Sequence, residues 1–247
     1  MELLLSRNGF HDVARIYRGP EYDVVSVRVA GGEAVDAWRR LQAILAPARA
    51  WPVIIGEVKQ EESLVESLKD SETTSLAAIS DQANVIEPLD WFRRRRQSDP
   101  SYVPPRAPAW KRPFREPCGR GGTLVGPVDL TTNRPYERVS IVIVPTRDSW
   151  AAPAFLKYGG WNECPGPAEQ VALLRYWHDA YNTDVATMAS DIIELSVPRP
   201  ISTRQEALAV AEQQFLYCSD IVHQGTETID CLADEITGAP FWYFWWD

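Results

Sequence analysis

Taken in order, the apolar positions of the chain switch between two periods. YDVVSVRV (22–29) is rich in β-branched residues and stops at Gly31-Gly32, the composition and boundary of a strand. GEAVDAWRRLQAIL follows, with Ala34, Trp38, Leu41 and Leu45 at helical spacing and Pro47 just past its end. WPVIIGE (51–57) is short, apolar and β-branched, as in a strand covered on both faces. Strand, helix and strand in this order predict a βαβ unit with a right-handed crossover. Residues 59–96 read as helix in two pieces, broken near Pro88 and ending in DWFRRRRQ.

The period then disappears. Residues 97–122 hold six prolines, which fix φ and remove backbone donors, so this stretch reads as a loop or linker running partly as polyproline II. RVSIVIVPT (138–146) restores a clear strand pattern. AEQVALLRYWHDAYN (168–182) places Leu173, Leu174, Trp177 and Tyr181 on one helical face, and DIIELSV (191–197) reads as a strand. STRQEALAVAEQQFLYC opens with Thr203 three residues before Glu206, a capping box. TETIDCLADEIT puts Ile229, Leu232, Ala233 and Ile236 on one face and stops at Gly238.

The chain ends in FWYFWWD (241–247). Alternation sends Phe241, Tyr243 and Trp245 to one side and Trp242, Phe244 and Trp246 to the other. Rings of roughly 150–250 Å² each, left in water, form an unusually large apolar patch. The tail is therefore expected to be a central or doubly covered strand, with an exposed partner surface as the alternative. The predicted architecture is α/β or α+β: a mixed sheet flanked by helices, with strands near 24–29, 52–56, 139–145, 191–197 and 241–246. Its parts are an N-terminal βαβ-like block (1–96), a Pro/Arg-rich basic connector (97–122) and a C-terminal domain (123–247). One continuous unit is favoured, because an all-apolar last strand needs cover on both faces.

Charge sharpens this division. Residues 1–92 carry 9 Lys/Arg against 15 Asp/Glu and residues 121–247 carry 7 against 17, whereas 93–120 carry 9 against 2. An acidic surface repels nucleic acid at long range, leaving the connector as the one segment that attracts it. The N-terminus is too short in apolar residues and wrongly charged for a signal peptide, and no run suits a membrane span. Four cysteines without C-x-x-C pairing read as reduced thiols, so a cytoplasmic protein is expected.

VPTRDSWAAPAFLKYGGWNECP (144–165), LLRYWHDAYNTDV (173–185), TRQEALAVAEQQFLYCSDIVHQG (203–225) and WYFWWD (242–247) together resemble domain-of-unknown-function family 4253, a largely bacterial family. The resemblance runs from about Val139 to the end. It implies no established activity, substrate or cofactor. Where the family pattern has Cys-Pro-Asp-Ile-Val-Asp this chain has Cys218-Ser219-Asp220-Ile221-Val222-His223, which argues against His223 as a shared catalytic base.

Candidate chemistry is sparse. Cys164 lies in a Gly/Pro-rich loop before a helix, where a helix N-terminus favours thiolate; with His178 as base and Asp220, Glu163 or Asp179 as orienting acid it makes a hydrolase-type set. The bland alternatives are an inert half-buried thiol and a core-rim histidine. His178, Cys218, Asp220 and His223 lack the tight spacing of a metal site, and CGRGGTLVGP (118–127) lacks the Lys-Ser/Thr of a phosphate loop, so neither metal nor cofactor is expected. Arg93, Arg94, Arg95 and Arg96, with AWKRPFRE beyond them, interleave arginine and aromatic residues as nucleic-acid binders do. The competing reading is a solvated basic segment lying against the acidic blocks. Trp161 and Asn162 in a Gly-Gly-Trp-Asn loop either line a small pocket or cap the core, and Tyr176 joins them as a candidate binding residue. The favoured function is a non-enzymatic module, immunity- or antitoxin-like, that binds another protein through an acidic surface. A small Cys/His/Asp hydrolase and a nucleic-acid-associated protein are the alternatives.

Overall fold

The computed structural model describes residues 1–71, 74–106 and 123–247. In chain order these form α1 (Glu2–Arg7), β1 (Val13–Arg18), β2 (Asp23–Val29), α2 (Ala34–Leu45), β3 (Trp51–Glu57), α3 (Gln60–Asp70), α4 (Leu76–Asn84) and α5 (Pro88–Ser98). After these come β4 (Val128–Asp129), β5 (Arg134–Pro135), β6 (Val139–Val144), α6 (Ala152–Leu156), α7 (Pro167–Tyr181), β7 (Asp184–Met188), β8 (Ile192–Ser196), α8 (Arg204–Tyr217), a π-turn (Ile221–Thr226), α9 (Ile229–Ile236) and β9 (Phe241–Trp245). The helices break near Pro88 as expected, with Pro88 in the first turn of α5, where its missing N–H is not needed; a further break after Asp70 makes the run three helices and not two.

A seven-stranded mixed sheet orders these strands β1-β2-β6-β3-β7-β8-β9. β6, Val-Ser-Ile-Val-Ile-Val, is buried at all six positions, so it requires cover on both faces and sits in the interior of the sheet. It pairs antiparallel with β2 (Ile141 opposite Val27) and with β3 (Ile141 opposite Ile54). β2 and β3 thus run parallel, as the βαβ reading requires, but they are not neighbours: a strand from beyond the connector is inserted between them. The N-terminal and C-terminal blocks consequently share one sheet. Beyond β6, β3 joins β7 through a short parallel contact, Ile54 opposite Thr187, reinforced by the Trp51 indole N–H donating to the Val185 carbonyl at 2.7 Å.

Alternation assigns the two faces. Val25, Val27, Ile54, Ile141 and Ile143 pack beneath α1 and α2 against Leu5, Trp38, Leu41 and Leu45. Val53, Ile55, Val142, Val144, Ile193 and Leu195 face the other way, onto Trp91, Phe92, Leu173, Trp177, Phe215 and Tyr217 of α5, α7 and α8. α8 begins as its sequence predicts, with Thr203 Oγ1 accepting from the Glu206 N–H at 3.3 Å.

The aromatic tail lies in the sheet but at its edge, not at its centre. β9 pairs with β8 alone, and only one of its faces is covered. Trp242, Phe244 and Trp246 are buried; Phe244 stacks on Trp177 with centroids 5.5 Å apart and planes 3° apart, and meets Tyr217 edge-on at 4.8 Å. Phe241 and Trp245 are half-buried and Tyr243 is 37% exposed. Helices cover one face of the sheet at this end; the other opens into a cleft.

Candidate interaction cleft

The hydrolase-type set is not assembled. Cys164 precedes α7 and His178 lies in its last turn; at about 1.5 Å per residue, Pro167 and His178 are roughly 17 Å apart along the axis. Cys164 is buried, its sulfur accepts from Gln170 Nε2 at 3.3 Å, and burial pushes the thiol up to about 12, which leaves it protonated at neutral pH. His178 Nδ1 lies 2.8 Å from the Thr183 carbonyl and 3.6 Å from Asp184 Oδ1. Ser149 Oγ donates to that same Asp184 oxygen at 2.6 Å, so the serine is bonded to the carboxylate and not to the imidazole, and no base activates it. Asp220 is elsewhere again, accepting from the Asp247 N–H at 3.1 Å and from Gln224 at 3.4 Å. Cys164, His178 and Asp220 have no partner in common.

The Gly-Gly-Trp-Asn loop serves the end of the chain. Gly159 is held at φ +105, where a Cβ would lie 2.0 Å from the Pro165 carbonyl oxygen, so only glycine fits. The loop turns Asn162 into the left-handed region and aims its Nδ2 at the Asp247 carbonyl, 2.5 Å away. Asp220 and Gln224 hold the same residue from the other side. Trp161 meets Tyr158 edge-on at 4.8 Å, packed against the core. Three of the stretches that carry the family resemblance therefore converge on Asp247. Tyr176 accepts from Gln213 Nε2 at 3.2 Å and lies edge-on to Phe92.

The arginine run is largely consumed within the molecule. Arg93 pairs with Asp90 at 2.5 Å, Arg95 with Glu163 at 2.5 Å and Arg96 with Glu212 at 2.8 Å. Arg95 also lies over the Tyr102 ring, 4.4 Å from its centroid. Of the four, only Arg94 lacks an ion pair among the described residues. Residues 107–122, with the remainder of the connector and most of the glycine stretch, lie outside the described residues.

The outstanding concavity is a cleft of about 670 Å³ on the uncovered face of β8 and β9. Its floor is built from the strand edge. Val197 N–H donates to the Pro240 carbonyl and Trp246 N–H to that of Asp191, so Glu194 and Tyr243 form a non-hydrogen-bonded pair, the closer kind, with both side chains on the cleft face. The segment 123–131 makes one wall. Glu194, 1% exposed, fastens it by accepting from the backbone N–H groups of Val125 (2.7 Å) and Gly126 (2.9 Å). Gly126 is required there, since a Cβ would meet Thr187 Cγ2 at 2.4 Å. Burial raises the Glu194 pKa although these donors oppose it. The π-turn and α9 make the opposite wall.

The lining has one sign of charge. Asp129, Asp191, Glu194, Asp220 and Glu235 contribute carboxyl groups, and no Lys, Arg or His is among the described lining residues. Tyr136, Phe241, Trp242, Tyr243 and Trp245 supply rings. Trp245 is oriented by its indole N–H, which donates to Asp191 Oδ2 at 3.0 Å. Of the predicted site residues only Asp220 lines this cleft. The sequence did carry a signal for it: Glu194 is an acid inside an otherwise apolar strand pattern. Among the described residues no three His, Cys, Asp or Glu side chains are placed to hold a metal ion, and no helix is long and apolar enough to cross a membrane.

Residues 140–247 match the family model described as Domain of unknown function (DUF4253). No curated protein and no solved structure matches the chain. The matched part runs from the second residue of β6 through β9 and contains both strands of the cleft floor and its π-turn and α9 wall.

Proposed function

We propose that the protein is a non-enzymatic recognition module that binds another protein through the cleft on the open face of β8 and β9, in the manner of an immunity or antitoxin-like protein. One observation carries this reading: the cleft on the open face of β8 and β9 pairs five carboxyl groups with five aromatic residues and has no basic side chain among its described lining. Aromatic side chains with an apolar body and a polar handle are the usual anchors of protein interfaces. Neither candidate nucleophile lines this cleft: Cys164 is buried elsewhere, its thiol pushed up by burial, and the Ser149 hydroxyl donates to Asp184.

The test is reconstitution. A partner retained by the immobilised chain is purified separately and mixed with it, and light scattering reads the mass of the complex. A defined stoichiometric complex is expected. Failure to retain any protein in stoichiometric amount, together with turnover of ester or amide substrates that Cys164→Ser abolishes, overturns the reading in favour of a hydrolase.

A further inference from the structure

A separate pocket, of about 240 Å³, lies where α2 hands over to β3. Gln42, Ala46, Arg49, Ala50, Trp51 and Arg147 line it, and none of them lines the cleft. Strand register builds it. Trp51 of β3 pairs with Val144 of β6, so Arg49, two residues before that pair, and Arg147, three residues after it, flank neighbouring antiparallel strands at the same end of the sheet. Trp51 is held from two sides: its indole N–H donates to the Val185 carbonyl at 2.7 Å, and its ring lies edge-on to Trp38 at 6.4 Å.

The chemistry of this pocket is the reverse of the cleft's. In a chain of 34 acidic and 25 basic residues, it has two guanidinium groups, one side-chain amide and no carboxylate among its described lining. A guanidinium offers donors and no acceptor. Neither Arg49 nor Gln42 has a side-chain hydrogen bond or ion pair among the described residues. Arg147 meets only its sequence neighbour Asp148, at 3.6 Å with both side chains exposed, a contact worth little. Backbone conformation singles out Arg49. The Ala50 N–H donates to the Leu45 carbonyl and the Arg49 N–H to that of Ala46, a Schellman closure that leaves Arg49 left-handed at φ 53, ψ 44. Glycine is usual at that position and takes it without strain, whereas arginine is strained there, and strain of this kind clusters at ligand clamps.

We propose that this pocket binds a small organic anion, a single ring bearing a carboxylate or phosphate group. The oxyanion accepts from the guanidinium groups of Arg49 and Arg147, whose planar forks match its oxygens, and from the Gln42 amide. The ring of the ligand rests on Trp51. The pocket is smaller than the roughly 300–1,000 Å³ of sites for drug-sized ligands, so it admits one ring and not a nucleotide. This site goes beyond the protein-binding reading and does not depend on it, because no residue of the cleft takes part.

The test is titration calorimetry on the full chain with phenyl phosphate, benzoate, inorganic phosphate and benzamidine. Saturable binding of phenyl phosphate, benzoate or both is expected, and the tighter of the two identifies the oxyanion. Inorganic phosphate lacks the ring and should bind more weakly; benzamidine, a similar ring with a positive charge, should not bind. Added salt should weaken the binding, since both arginines are exposed. Arg147→Gln should lower the affinity about tenfold, the effect of losing one charged hydrogen-bond partner. Arg49→Gly should lower it as much and yet melt close to wild type, because glycine is at ease in the left-handed backbone. Tyr243→Ala, in the cleft, should leave it unchanged. Benzamidine binding as tightly as phenyl phosphate, wild-type affinity in both arginine variants, or no saturable binding of either ring anion at millimolar concentration overturns the proposal. A lowered Tm with unchanged affinity in Arg49→Gly makes Arg49 a charge serving the carbonyl end of α2, where a cation is also favoured, and likewise overturns it.

Discussion

Phe244→Ala and Tyr243→Ala change adjacent rings on one strand, and the structure assigns them very different costs. Phe244 is 0% exposed and its ring contacts Trp177, Tyr217 and Trp246 at centroid distances of 5.5, 4.8 and 6.5 Å. Truncating a buried phenylalanine costs about 3–5 kcal/mol through lost transfer energy and the cavity left behind. The upper end applies here, because the surrounding rings are large and rigid and collapse poorly into the hole. For a chain of this length each kcal/mol moves Tm by about 2–4 °C, so Phe244→Ala should lower it by roughly 8–20 °C. Tyr243, on the opposite face and 37% exposed, loses mainly a cross-strand contact, worth about 0.2–1 kcal/mol, and should move Tm by no more than about 4 °C. Scanning calorimetry with urea melts at fixed m-value reads both. Equal destabilisation by the two variants would refute the assignment of an edge strand with one buried face, and a cooperatively melting fragment 1–240 would refute the tail's role in the core altogether.

Four further outcomes follow from individual groups. Burial opposes ionisation of Glu61, but hydrogen bonds from Arg28, Ser140 and Ser26 outweigh it and hold the carboxyl below its ordinary value of 4.5. The stability it contributes is complete above that pH and lost as pH falls through the lowered value. Glu61→Gln should therefore destabilise by about 1–3 kcal/mol at pH 7, since the partly exposed Arg28 keeps Asp12 at 4.0 Å, and should show less further loss on acidification in urea melts from pH 7 to 3. Glu194 has the opposite sign: its raised pKa makes the protonated form the stabilising one, so its contribution fades as pH rises through that value, and the same melts on Glu194→Gln should lack this limb. Iodoacetamide at pH 8 should label half-buried Cys231 while Cys164, its thiol pushed up to about 12, and buried Cys218 react only on unfolding; peptide mapping shows the order. Fluorescence anisotropy at about 0.15 M salt should detect no DNA or RNA binding that Arg93–Arg96→Gln removes, because three of those arginines are already paired.

Strong periods survived folding and weak ones did not announce themselves. Val139–Val144 reads as a strand because nothing in it is polar except Ser140, and the amphipathic runs over 34–45, 167–181 and 229–236 are helices because their apolar residues recur at helical spacing. β1 and β7 were not visible in the pattern. Each contains a register shift, between Arg15 and Tyr17 in one and between Val185 and Thr187 in the other, and a bulge destroys the two-residue period that betrays a strand. Strand order was beyond reach for another reason: insertion of β6 between β2 and β3 depends on contacts across more than 80 residues, which no local pattern encodes. The candidate site was less legible still. Cysteine, histidine and aspartate were visible as residue types, but α7 separates two of them by its own length.

Alternation along β9 ties the core and the cleft to a single strand. Its even-numbered rings are buried against α7 and α8, and its odd-numbered rings line the acidic cleft. An all-aromatic tail expected to need cover on both faces is thus stable with cover on one, because half of its rings are only partly exposed and are held in place: the Trp245 indole bonds to Asp191, its carbonyl accepts from the Cys218 thiol, and Tyr243 stands beside Glu194. Changes at odd positions should therefore alter binding at little cost in stability, and changes at even positions should unfold the chain before binding can be read. That separation lets the proposed binding be tested without confounding it with the integrity of the sheet.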